Sequence, residues 1–437
     1  MQAVILAAGR GTRLQSLGSS KPLVKLLGMS LIERNIRALI QTGVSDIVIV
    51  TGHEAASLEK ELAALRKQLP SARLQTIHNP DWASTENGQS LIAAAPIVQS
   101  HFILLMADHV YDVALLQGLC AATPPADGAV LAVDKRCSRH DIDLQDVTKV
   151  QVDERYISQI SKSLSHFNAF DTGAFLCTPG MLKTALETAK EGQSSLSHIM
   201  RKLIDSQQLT AYDIGDCYWQ DVDTPASFTL AEAQLLDSAT RKHADGPVAK
   251  HLNRRLSRPI SRYFAQYGLS PNLISVIAFC TGILAAWLLS RGGYGSLLIG
   301  GVLVQLASVI DGCDGEVARL HLRSSSFGGW FDAILDRYAD AAILAGLTWH
   351  AMSIHDTGWA FMAGLLAITG SFAASYSAHK ADLQSTDSRW RMGRDTRSAL
   401  IMLGAISNLV LPVLWVVALL MNLTVVHRIL SMRKREL

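Results

Sequence analysis

The chain has 437 residues, a formal net charge of +2, 49% hydrophobic residues and only 18% charged ones. That length suits two or three domains, and the near-neutral balance gives no reason to expect a nucleic-acid partner. Cys120, Cys137, Cys177, Cys217, Cys280 and Cys313 form no CxxC or metal-ligand spacing and read as reduced thiols of a cytosol-facing protein.

The N-terminal MQAVILAAGRGTRL is too short and too interrupted by glycine for a secretion signal. AVILAA reads as a buried strand and GRGTRL as a Gly-rich turn. LIERNIRALIQTG reads as an amphipathic helix, DIVIVTG as a strand and AASLEKELAALRKQL as a helix. HFILLMAD, GAVLAV and TGAFLC continue the strands. Strands alternating with helices predict a doubly wound α/β domain over residues 1–240, closed by the helical ASFTLAEAQLLDSA. HFILLMAD ends on Asp108, at the carboxyl edge where such sheets bind ligands.

Residues 241–271 form a basic amphipathic segment ahead of the first apolar run. Lys250, Arg254, Arg255, Arg258 and Arg262 alternate with Leu252, Leu256, Ile260 and Phe264. This pattern suits an anionic lipid surface; the alternative is an ordinary solvated helix. Residues 272–437 then predict an all-α domain with six transmembrane helices, at about 272–290, 295–320, 328–351, 358–378, 396–409 and 411–427. Basic residues gather before the first span and after the second, fourth and sixth. The positive-inside rule then puts both the N-terminal domain and the C-terminus in the cytoplasm of a multi-pass protein of the cell (inner) membrane.

Carboxylates are expensive beside a bilayer, yet DGCDGEVARLHLRSSSFGGWFDAILDRYAD, residues 311–340, carries five aspartates and one glutamate. Asp311 and Asp314 are three apart; Asp332, Asp336 and Asp340 are each four apart and share a helix face. Two converging acidic faces would repel unless cations offset them, and carboxylate oxygens suit Mg²⁺ or Mn²⁺. Carboxylates paired with arginine for packing are the alternative. The pattern D-x2-D-G-x2-A-R-x8-G-x3-D-x3-D resembles the signature of the CDP-alcohol phosphotransferase family at every position. The resemblance implies metal ligation by Asp311, Asp314 and Asp332, with Asp336 as general base and further metal ligand. It places Gly315, Ala318 and Arg319 at the cytidine nucleotide. Asp340 stands between a contact to a neighbouring helix and an acceptor-site role. Lys380, Arg394 and Arg397 are candidates for an acceptor phosphate or, alternatively, positive-inside anchors.

LAAGRGTRLQSLGSSKPLVKLLG, residues 6–28, lacks the third glycine of GxGxxG and is not a Walker A motif. LAAGxGTRL…KP resembles the signature of sugar-phosphate-type nucleotidyltransferases. That resemblance implies a loop of Ala7, Gly9 and Gly11 around a nucleoside triphosphate, with Arg13 holding its phosphates and Lys21 neutralising charge as pyrophosphate leaves. It also implies a metal on Asp108 with Asp221 or Asp223 as partner; His109 reads as a structural neighbour. Asn87, Gly88 and Gln89 fall where base and ribose are read. NAFDTGAF faces the acceptor, and Lys149 is either a contact to its phosphate or a surface lysine.

The tandem order resembles the bifunctional inositol-1-phosphate cytidylyltransferase and di-myo-inositol phosphate phosphate synthase family. It implies CTP, inositol 1-phosphate and CDP-inositol as substrates, membrane lipids as surroundings and a homodimer. The alternatives are the same two reactions on another phosphorylated alcohol or phosphonate, or a transporter or scaffold with a degenerate enzyme domain.

Overall fold

The computed structural model describes residues 1–11, 13, 20–139, 142–240, 252–382 and 393–436. It divides into two units, Met1–Gln234 and Leu235–Leu437.

The strands of the first unit are β1 (Gln2–Ala7), β2 (Lys25–Leu26), β3 (Met29–Ser30), β4 (Asp46–Thr51), β5 (Arg73–His78), β6 (Phe102–Met106), β7 (His109–Tyr111), β8 (Ala129–Asp134), β9 (Lys149–Asp153), β10 (Tyr156–Ser161), β11 (Ala169–Cys177), β12 (Leu209–Asp213) and β13 (Trp219–Asp221). Its helices are α1 (Leu31–Gln41), α2 (Ala55–Gln68), α3 (Asn87–Ala94), α4 (Val113–Ala121), α5 (Pro179–Lys190) and α6 (Leu196–Asp205); α7 (Pro225–Thr240) crosses the division. Nine strands form one sheet in the order β5-β4-β1-β6-β11-β8-β12-β10-β9.

β1 is central because its apolar run is buried on both faces. It runs parallel to β4 and β6, with Gln2 opposite Asp46 and Phe102. Its Val4 and Leu6 share a core with Phe102, Leu104, Leu131 and Phe175. α1 starts where the Ser30 hydroxyl accepts the Glu33 N–H, and Glu33 pairs one turn on with Arg37. The expected α/β architecture is present, and its sheet is mixed: β11 runs antiparallel to both β6 and β8. A register shift between Asp171 and Phe175 interrupts β11, with Gly173 at φ +73°. A bulge of this kind redirects side chains beside a site.

The second unit contains α8 (Arg254–Gln266), α9 (Pro271–Ser290), α10 (Tyr294–Leu320), α11 (Ser326–Ile354), α12 (Thr357–Asp382), α13 (Arg394–Ile406) and α14 (Val410–Glu436). Ser270 and Ser325 cap α9 and α11 by accepting the Leu273 and Gly328 N–H groups. Small residues let the helices close up. A Cβ on Gly346 would lie 2.3 Å from the Ala286 carbonyl oxygen, and one on Gly301 would lie 2.5 Å from the Ala405 Cβ.

Six helices follow α8, and four described segments are long and apolar enough to cross a membrane: Pro271–Ser290, Tyr294–Leu320, Thr357–Ala378 and Val410–Arg433. The six-span expectation is therefore approximate. α11 has the length but carries Asp332, Asp336, Arg337 and Asp340. α13 spans only about 20 Å at 1.5 Å per residue, against a core of about 30 Å.

Candidate active sites

In the first unit, the ends of β1 and β6 lie side by side, with Leu6 opposite Met106. The chain leaves β1 as the Gly-rich turn and leaves β6 at Asp108. β7 pairs with β13 and sets Asp221 opposite His109, which carries Asp221 to the edge where Asp108 already stands. Lys21 Nζ reaches this cluster from the following turn, 2.6 Å from Asp108 and 2.5 Å from Asp223, with Asp221 at 3.7 Å. Arg13 pairs with Asp223 at 2.6 Å and also with Asp146. His109 donates through Nδ1 to Asp108 at 2.7 Å, its ring stacked near those of Tyr111 and Trp219.

The charges hold one another. Burial works against the Lys21 ammonium, but Asp108 and Asp221 outweigh it and raise its pKa. Burial also opposes ionisation of Asp108, and Lys21 and His109 overcome it and hold that carboxyl well below the usual range. His109 is raised because Asp221 and Asp108 outweigh its burial. Burial lifts Asp221; His109 counters and Asp108 adds to the rise. The buried Asp221 Oδ1 has no hydrogen-bond partner. Asp108, His109 and Asp221 each offer a donor atom within 4.8 Å of the others, as do Asp146, Asp221 and Asp223. An orphaned carboxylate oxygen within such a set fits a divalent cation.

Two cavities meet here. One, of about 290 Å³, is lined by Ala7, Gly9, Gly11, Arg13, Lys21, Asp108 and Asp223. Its other lining residues are Leu6, Pro22 and Ala107. The second, of about 610 Å³, shares Arg13, Lys21, Asp108 and Asp223 and continues past Asn87, Lys162, Asp171, Trp219 and Asp221. Burial pushes Asp171 up to about 6, against the Gly173 N–H that it accepts. Gly11, at φ +60°, packs on Lys21; a Cβ there would sit 2.5 Å from the lysine Cβ.

Several expected residues stand apart. Gly88 faces the protein, where a Cβ would meet the Ser194 carbonyl oxygen at 2.3 Å, and neither it nor Gln89 lines the cavities. Lys149 donates to the Lys162 carbonyl at 2.9 Å and lies over the Phe167 ring. Besides Lys21, Lys162 lines the cavity in place of Lys149, 2.7 Å from Asp146. Sequence reading passed over Asp146 and Lys162, because no local pattern marks residues brought in from separate loops. Thr12 and residues 14–19 lie outside the described residues.

In the second unit, Asp311, Asp332 and Asp336 bring carboxylate oxygens within 4.8 Å of one another. The i,i+4 spacing on α11 and one position on α10 suffice. Asp314 accepts the Ser275 hydroxyl of α9 and also contacts the Asp332 carboxyl of the cluster. Arg394, at the start of α13, lies 2.7 Å from Asp311 and also pairs with Asp336. Arg397 holds Asp340 at 2.5 Å and donates to Ser371, so Asp340 binds a neighbouring helix. Asp332 Oδ1 is buried without a hydrogen-bond partner. The all-oxygen set and its orphaned atom fit Mg²⁺ or Mn²⁺. Gly315 and Ala318 lie on α10 beside this cluster, and the Arg319 Nε donates to the Ala239 carbonyl at 2.8 Å. The Lys380 side chain falls outside the described residues.

The two sites define a nucleotidyltransferase-type unit followed by a CDP-alcohol transferase unit. Residues 3–209 match the MobA-like NTP transferase domain family, and residues 269–430 match the CDP-alcohol phosphatidyltransferase family. The chain is 33% identical over 446 residues to an Aquifex aeolicus protein named "Bifunctional IPC transferase and DIPP synthase", covering 99% of this chain and 98% of the relative. A Rubrobacter xylanophilus protein of the same name is 35% identical over 99% of this chain and 96% of its own length. The chain belongs to this family of bifunctional transferases. A solved structure described as the inositol-1-phosphate CTP transferase from T. maritima has 26% identity and a TM-score of 0.47, covering 52% of this chain and 90% of that one.

Proposed function

We propose that the two units carry out consecutive reactions on one activated alcohol. In the first, a phosphate oxygen of inositol 1-phosphate attacks the α-phosphorus of CTP, forming CDP-inositol and expelling pyrophosphate. In the second, a hydroxyl of another inositol 1-phosphate attacks the β-phosphorus of CDP-inositol. The product is a phosphodiester of two inositols that keeps one phosphate, and CMP leaves.

For the first step, the Gly9–Gly11 turn and its 290 Å³ cavity suit the triphosphate, and the larger cavity suits the phosphorylated alcohol. Lys21 and Arg13 stand where the two cavities meet and would neutralise the departing pyrophosphate. Lys162 would hold the alcohol's phosphate, and Asn87 lies within reach of the nucleotide. Asp108 with Asp221 or Asp223 would hold a cation. For the second step, Asp311, Asp332 and Asp336 would hold cations, with Asp314 supporting from α10, braced by Ser275 of α9. Asp336 would take the proton of the attacking hydroxyl. Gly315, Ala318 and Arg319 would border the cytidine, and Arg394 and Arg397 would meet the acceptor phosphate when it displaces their carboxylate partners. Divalent ions bound at these carboxylates supply electrostatic stabilisation of the transferring phosphoryl group. We assign the cytoplasmic face to the first unit and to the basic ends of the helices, and retain the homodimer as the expected assembly.

The observation that carries the reading is that each unit gathers carboxylates around a buried oxygen without a hydrogen bond; the second cluster lies wholly within its family match, and the first joins the matched Asp108 to Asp221 and Asp223, just beyond the match's end at residue 209. The test is purified full-length protein with CTP, Mg²⁺ and a panel of phosphorylated alcohols, following pyrophosphate and CMP separately. Inositol 1-phosphate should give both products. Turnover of a different phosphorylated alcohol alone would move the assignment to that compound.

A further inference from the structure

α8 presents three faces at about 100° per residue. Asn253, Ser257, Ser261 and Ala265, each four apart, are buried. The Ser257 and Ser261 hydroxyls donate to Glu316 on α10, at 2.8 and 2.6 Å, and Arg254 completes its shell. Glu316 is fully buried, two residues beyond Asp314 and one helical turn and a half from Asp311. Asn253 donates to Asp395 at 2.9 Å, the neighbour of Arg394, which grips Asp311 and Asp336. One face of α8 is thus wired to α10, which carries Asp311, and to α13, which carries Arg394.

The other two faces look outward. Leu252, Leu256, Tyr263 and Tyr267 are 40–67% exposed and share one side. Arg255, Arg258 and Arg262 are exposed on the next. Only the short link from Tyr267 to Ser270 separates α8 from the membrane-spanning α9, so the helix lies at the level of the bilayer surface. An apolar stripe flanked by arginines at that height fits acyl chains on one side and anionic headgroups on the other.

We propose that α8 docks on an anionic lipid surface and that this docking positions α10 and α13, so that lipid charge sets the rate of the membrane unit's reaction. Glu316 and Asn253 are positioning residues in this arrangement. The inference rests on the transferase reading of the second unit.

The full-length protein is placed in nanodiscs of phosphatidylcholine alone or mixed with phosphatidylglycerol, and CMP and pyrophosphate release are followed in each. Anionic lipid should raise CMP release about threefold or more and leave pyrophosphate release unchanged. The triple variant R255Q/R258Q/R262Q should keep the rate seen in phosphatidylcholine and lose the stimulation. A fluorophore on L256C should be quenched by brominated lipid, more strongly in the anionic discs. Equal CMP rates in the two lipids, or a Leu256 probe quenched only from water or cross-linked to a second copy, would overturn the proposal. If no CMP appears in either membrane, the transferase reading fails, and the quenching still decides whether α8 docks.

Discussion

Two carboxylate clusters, one at a sheet edge and one between membrane helices, use a buried cation in different ways. At the sheet edge Lys21 puts a single ammonium among Asp108, Asp221 and Asp223. Between the helices Arg394 bridges Asp311 and Asp336 through one nitrogen, Nη1, and turns Nε to Asp340 at 3.5 Å. The lysine is a compact point charge on a flexible stem, suited to following a pyrophosphate that moves away. The arginine is a rigid planar fork, suited to holding a geometry. The supports differ as well. The first cluster is assembled from loops and a two-stranded ribbon, the second from turns of two helices. What the pair teaches is that the same requirement, carboxylates kept ready for a divalent ion, is met by long-range topology in one unit and by helical periodicity in the other.

The sharpest way to break that comparison is at Asp336. Asp336→Asn should lower CMP release by about 10³-fold, as expected for removal of a general base, with pyrophosphate release intact. Loss of both products from a folded protein would show that the clusters are not separate. Next comes Lys21→Ala, which should slow pyrophosphate release about 10²-fold or more and leave CMP release from supplied CDP-inositol unchanged.

A third carboxylate calibrates both. Asp134 is fully buried and saturated by Arg136, Arg139 and the Trp219 indole N–H. Burial alone would raise its pKa, but the hydrogen bonds from Arg136, Trp219 and Arg139 outweigh it and depress the group to about 2. A depressed folded pKa means stability that is present above the ordinary carboxylate range and lost as pH falls through about 4 to 2, worth about 2 kcal/mol. Asp134→Asn should cost about 3 kcal/mol at neutral pH in thermal unfolding of the first unit and flatten that acid limb. An unchanged acid limb would contradict the assignment. The smallest effect separates two lysines. Lys162→Ala should raise KM for the phosphorylated alcohol about tenfold, the worth of one charge-assisted hydrogen bond, whereas Lys149→Ala should change it by less than about twofold.

The membrane cluster was legible because its residues repeat every four along one helix, a spacing that survives folding unchanged. The central strands β1, β4, β6, β8 and β11 were legible from their apolar runs. Strands β9 and β10 were not, since KVQVD and YISQIS mix polar and apolar residues at the sheet edge and turn at Glu154 with φ +57°. The three-residue β7 and β13 are too short to show any period, yet they bring Asp221 to His109. Asp146 and Lys162 reach the cavity by tertiary packing alone. Glu316 left a trace: Arg254, Ser257 and Ser261, spaced three and four apart on a helix beside an acidic one, suggest a buried partner. The turn of Gly88 away from the cavity had no sequence signal, because its contact, Ser194, lies more than a hundred residues on.

The claim beneath all of this is that the two clusters work on successive steps and independently. Its most direct test supplies CDP-inositol and inositol 1-phosphate to Asp108→Ala protein in membranes and measures CMP. Release at the wild-type rate, from protein that forms no pyrophosphate from CTP, is the predicted result. Loss of CMP release from the folded variant would contradict it.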